Sequence, residues 1–169
     1  MAKLISEDEQ VRTSFELILI KNQVKNKPGV SWISYKLIIE SGYKKLTYEN
    51  EDNNKGAGDY VFALEPVNEI ENLINSIKSF LENQNKNLFS FEPLEPSFEL
   101  ILERSHKGYS VISWVDAGNV ISDHYSWDGF GVRFFTTKEK INLFIDELKN
   151  ESKGLLQQAP TEDGMINNA

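Results

Sequence analysis

The chain has 169 residues, a formal net charge of −8 and no cysteine. That rules out disulfides, thiolate metal sites and cysteine nucleophiles, and it disfavours direct nucleic-acid binding, where Lys and Arg must neutralise phosphates. Apolar residues make up 40% of the chain, enough for a sizeable core in one domain or two small lobes.

Residues 1–13 are polar, carry no secretory signal pattern, and are expected as a mobile N-terminus. The alternation of Phe15, Leu17 and Leu19 with Glu16 and Ile18 predicts a strand over 15–20. Residues 21–29 form a basic loop ending in Pro28-Gly29. Trp32, Ile33, Tyr35, Ile38 and Ile39 predict a long strand over 30–40, turned at Ser41-Gly42 into a hairpin strand over 43–48. A polar loop over 49–58 leads to a closing strand over 59–64. Glu65-Pro66 is expected to open a helix, whose apolar stripe is Val67, Ile70, Leu73, Ile74, Ile77, Phe80 and Leu81.

The segment 88–96 holds two prolines and reads as an extended crossing. Strands are expected over 98–103, 109–115, 120–126 and 130–135, with 120–126 as the hairpin partner of 109–115. Thr136 and Glu139 read as a capping box opening a second helix with the stripe Ile141, Phe144, Ile145 and Leu148, and Gly154 marks its end.

One internal repeat organises this series. Residues 14–19 read Ser-Phe-Glu-Leu-Ile-Leu, and residues 97–102 repeat them without change. Strand-like runs and then one amphipathic helix follow each copy. The expected architecture is therefore α+β, with two similar lobes, each mostly antiparallel strands followed by a helix packed on the sheet. Its divisions are a first lobe over 14–88, a crossing over 89–96, a second lobe over 97–153 and a mobile tail over 154–169.

No serine-hydrolase elbow, phosphate-binding loop or dinucleotide fingerprint occurs in the sequence. Gly56-Ala57-Gly58 is too short for the latter two, and no cofactor or metal is expected. Asp116, Asp123, His124 and Asp128 could supply an acid–base or metal cluster, but alternation puts Asp123 and His124 on opposite faces of a strand. Two acidic groups stand out instead. One contains Glu51, Asp52 and Asp59. The other, Asp116, Asp123 and Asp128, is interleaved with Trp114, Tyr125, Trp127 and Phe130. Aromatic anchors beside steering carboxylates suit a surface for a basic protein; the alternative is that Trp114 and Phe130 are core and the acids a solvated rim. The candidate partner-binding residues are Glu51, Asp52, Asp59, Asp116, Asp123, Tyr125, Trp127 and Asp128.

The segment over 89–100, Phe-Ser-Phe-Glu-Pro-Leu-Glu-Pro-Ser-Phe-Glu-Leu, resembles the middle of WapI-type immunity proteins of bacterial polymorphic toxin systems. The strand containing Trp32 and the helix after Pro66 stand in the order that family shows, and the likeness spans roughly 14–150. The first loop, over 50–58, matches no motif of the family. The resemblance implies a cytoplasmic protein that neutralises a toxin domain, often a nuclease acting on RNA, by stoichiometric non-catalytic binding. It carries over no catalytic residues. The partner would be a basic toxin domain, with no membrane and no nucleic acid bound directly, and the chain a monomer or weak homodimer. Two other readings stand beside it: a small enzyme using the Asp116, Asp123, His124 and Asp128 group, and a self-associating scaffold module.

Overall fold

A computed structural model of the chain describes residues 1–8, 10–20, 31–49, 60–65, 67–116 and 129–156. Two antiparallel sheets and two helices form an α+β structure. The first sheet contains β1 (Ala2–Ile5), β2 (Thr13–Ile20), β3 (Ser31–Ser41), β4 (Lys44–Tyr48) and β5 (Val61–Glu65). Its strands run β1-β2-β3-β4, and β5 pairs with the early part of β3, end to end with β4. The second sheet runs in chain order: β6 (Leu88–Phe91), β7 (Phe98–Ser105), β8 (Gly108–Asp116) and β9 (Gly129–Thr136). The helices are α1 (Glu69–Glu82) and α2 (Lys138–Leu156).

The hexapeptide copies occupy corresponding places, β2 and β7, each the second strand of its sheet. In both, the alternation sends Phe and Leu inward: Phe15, Leu17 and Leu19 in one, Phe98, Leu100 and Leu102 in the other, all buried. These faces share one core with both helix stripes. An aromatic cluster joins the sheets at its centre, where Tyr35 stacks on Phe62 (4.4 Å between centroids) and meets Phe98 edge-on (5.6 Å).

The helices cross between halves. α2 packs on β1 and β2 of the first sheet, while α1 lies between β5 and β6, the first strand of the second sheet, and against α2. Each helix thus covers the first strand of the other sheet. Two carboxylates of α2 accept hydrogen bonds from first-sheet backbone, Glu147 from Lys3 N–H (3.2 Å) and Glu151 from Leu19 N–H (3.0 Å).

Several boundaries differ from the sequence expectation. Residues 2–5 pair with β2 rather than fraying, because Ala2 and Leu4 are fully buried beside it. α1 begins at Glu69, not Pro66; Asn68 caps it by accepting from Glu71 N–H (3.0 Å), and Val67 is exposed. The α2 cap is Thr137, whose Oγ1 accepts from Lys140 N–H, whereas the Thr136 hydroxyl donates to Ile5 O (2.8 Å). α2 continues through Gly154 to Leu156. β8 takes β9 along its whole length as its hairpin partner, with β7 on its other side, and the strand expected over 120–126 lies outside the described residues. The 88–96 crossing is extended, and its first part is β6 itself.

Two side chains fasten the junctions. Glu69, only 4% exposed, accepts from Ala63 N–H in β5 and from Leu94 N–H in the crossing (2.7 Å for the latter). Burial raises its pKa above the usual carboxylate value, and the two backbone donors partly offset this. Arg104 of β7 donates to Phe80 O (2.6 Å), Leu81 O and Asn83 O (both 3.3 Å), supplying the cation that the last turn of α1 lacks. Its guanidinium also packs on the rings of Phe80 and Tyr109.

Candidate functional site

Inward-facing residues of the second sheet enter the core, so the residues between them form its outer face. Register places Glu99 opposite Trp114 and Trp114 opposite Gly131; Ile101 opposite Ile112 and Ile112 opposite Arg133; Glu103 opposite Ser110 and Ser110 opposite Phe135. Neither helix has its main packing on β7, β8 or β9. Trp114 is 45% exposed and Phe135 40%. The Trp114 ring lies across Gly131, so near that a Cβ there would sit 2.4 Å from its Cε3 atom. Glycine at 131 is therefore what lets the indole lie flat on the sheet.

Polar groups frame these rings. Arg133 donates through Nε to Ser110 Oγ (3.2 Å) and stands 3.7 Å from the Glu103 carboxylate. Ser90 donates to Glu99 (2.7 Å). The exposed ion pair adds little stability by itself; the register places Arg133 between Gly131, over which the Trp114 ring lies, and Phe135 on the outward side of β9. Trp and Arg at the centre of a patch with a polar rim are the side chains that dominate protein–protein affinity.

The equivalent face of the first sheet is built differently. The repeated glutamate, Glu16, is buried and pairs with Lys3 (3.4 Å), which also pairs with Glu40 (3.3 Å). Lys3 holds the Glu40 carboxyl below its ordinary pKa. Glu16 stands opposite Ile38, which is buried, where Glu99 stands opposite the exposed Trp114. The same strand sequence thus supports a face closed by ion pairs in one half and an open aromatic face in the other.

Of the sequence-predicted partner-binding residues, Glu51, Asp52, Asp59, Asp123, Tyr125, Trp127 and Asp128 lie outside the described residues, as does His124. Asp116 ends β8, its backbone opposite Gly129 of β9. Trp114 and Phe130, which the sequence left between core and surface, are both exposed, Phe130 by 56%. Sequence reasoning missed Arg133 and Phe135. The signal was the pair Phe134-Phe135, since adjacent strand residues face opposite sides and one of the two had to point outward. Among the described residues no group of three or more His, Asp or Glu side chains could hold a metal ion, and no helix is long and apolar enough to cross a membrane. The chain matches no family model, no curated protein and no solved structure.

Proposed function

We propose that this protein is a non-catalytic inhibitor of the immunity type, which binds a basic bacterial toxin domain one to one in the cytoplasm and covers the surface the toxin needs. The observation that carries this reading is the open outer face of the second sheet, where Trp114, Phe135 and Arg133 stand together uncovered by either helix. Its residue types are those of a binding hot spot, carried on the adjacent strands β8 and β9. The net charge of −8 supports a basic partner: a nuclease attracts its polyanionic substrate with a basic surface, and an acidic protein is drawn to that surface by the same field. The resemblance of the 89–100 segment to WapI-type immunity proteins supplies the toxin as the partner class.

The test is co-expression with the toxic domain encoded immediately upstream, followed by titration of the purified pair. The expected result is rescue of growth and a one-to-one complex that weakens as salt is raised. The absence of both rescue and a complex would overturn the reading.

A further inference from the structure

A groove of about 520 Å³ runs between α1 and β6. One wall is the polar side of α1, with Asn72, Asn75, Ser76 and Ser79 spaced to fall on one stripe. The other wall is β6, the terminal strand of its sheet, whose outward backbone groups no strand pairs among the described residues. Unpaired edge groups are a template for a further extended chain.

The other half of the molecule shows how such an edge is otherwise closed. The buried stripe of α1 (Ile70, Leu73, Ile74, Ile77) has the same spacing as that of α2 (Ile141, Phe144, Ile145, Leu148). Just before the last member, α2 carries Glu147, whose carboxylate accepts the Lys3 N–H on the edge of β1. At the matching position α1 carries Ser76, too short to reach across. The β1 edge is filled by the protein's own carboxylate; the β6 edge is left open. Among the described residues the groove is lined by one cation, Lys86, and by no carboxylate, in a chain whose net charge is −8. No ion pair engages Lys86 among the described residues.

We propose that this groove binds an extended, carboxylate-bearing peptide segment of a partner protein as a fifth strand beside β6, with the carboxylate at Lys86. Four residues of β6 span about 13 Å, so a segment of similar length would pair with them. Main-chain hydrogen bonds would supply affinity, and the Asn72 and Asn75 amides, which both donate and accept, would meet the segment's far edge. The site adjoins the outer face at Ser90, which donates to Glu99, and does not depend on the toxin reading.

The test titrates the ¹⁵N-labelled full chain with an N-acetylated hexapeptide of alternating threonine and valine ending in aspartate, and reads amide shifts. Expected are saturable shifts at the β6 backbone and at the Asn72 and Asn75 side-chain amides, abolished when alternate peptide nitrogens are methylated. Ser76→Glu, which copies Glu147 into the groove, should weaken binding at least tenfold while leaving shifts outside the groove unchanged. Lys86→Glu, on the surface, should do the same and serves if the first variant does not fold. No shifts at millimolar peptide, or equal binding by both variants, would overturn the proposal. So would a concentration-dependent dimer in sedimentation that Ser76→Glu dissolves, which would assign the edge to a second copy of the chain.

Discussion

Phe15 and Phe98, the same residue in the two copies of the repeated hexapeptide, pack on one another at the centre of the core with ring centroids 5.7 Å apart. Both are buried, and each also touches rings from other elements, Phe144 for the first and Tyr35, Phe62 and Phe91 for the second. The repeat therefore meets itself where the two sheets join. Replacing either phenylalanine with alanine should cost about 3–5 kcal/mol. The double replacement should cost less than the sum, because the two share one contact. Denaturant unfolding of the two single variants and the double variant measures both effects.

Ser113 is fully buried on the inner face of β8, opposite Leu100, and its hydroxyl has no hydrogen-bond partner among the described residues. Leu37 holds the corresponding place in the first sheet, opposite Leu17. A buried hydroxyl without a partner costs about 1–3 kcal/mol. Ser113→Ala should therefore raise the midpoint of thermal unfolding, whereas a functional hydroxyl would show itself as lost partner binding with that gain in stability.

Glu69 is a buried carboxylate that ties a strand to the crossing through two backbone donors. Glu69→Gln puts an amide N–H against one of them and should destabilise by about 1–3 kcal/mol at neutral pH. The wild-type carboxyl has a pKa raised on folding. The native state then binds the proton more tightly than the unfolded state, so this group's contribution to stability grows as pH falls toward its unfolded value and shrinks as pH rises through its folded one. The difference in unfolding free energy between wild type and Glu69→Gln should consequently be pH-dependent in the mildly acidic range. A pH-independent difference would show that the carboxyl does not titrate differently in the two states.

Arg104 reaches from β7 to the C-terminal carbonyls of α1. Arg104→Met keeps much of the packing on Phe80 and Tyr109 but removes the donors. It should cost about 1.5–3 kcal/mol, as expected for hydrogen bonds from a charged group. Amide hydrogen exchange should show the loss concentrated in the last turn of α1.

Trp114→Ala removes the centre of the open face while leaving the core intact. It should weaken the proposed partner complex about 30-fold or more, corresponding to a hot-spot loss of at least ~2 kcal/mol, with little change in thermal stability. Gly131→Ala should also weaken binding, because the added methyl displaces the indole. Unlike the first variant it should lower stability too, since Ser113 O lies 2.8 Å from the same position.

Much of the fold was legible because period and position agree. The stripes Ile70, Leu73, Ile74, Ile77 and Ile141, Phe144, Ile145, Leu148 predict two helices with one buried face each, and both faces are buried. The repeated hexapeptide predicts matching strands, and they match. The misreadings came from contacts distant in the chain. Residues 2–5 are largely apolar but too short a run to be told from the polar residues 6–12 that follow, and only β2 and α2 lying beside them make them a strand. Glu69 reads as a surface glutamate favoured by the helix dipole; only the return of the chain at Leu94 and the closeness of β5 bury it. Trp114 has nothing in its local sequence to say that its face stays uncovered, because that depends on where α1 and α2 go. Asp116 alone among the candidate partner-binding residues falls within the described residues, so the acidic part of the sequence reading stands as part of the proposal.

The placement of the helices makes the two halves dependent on each other. α2 lies against β1 and β2 of the first sheet, and α1 bridges β5 of its own sheet and β6 of the other. Each half therefore leans on the other to bury its sheet, and holding both in one chain makes that burial independent of protein concentration. It also frees the halves to diverge, one closing its outer face with Lys3, Glu16 and Glu40, the other opening it with Trp114. One chain can thus keep a closed outer face in one half and an open one in the other.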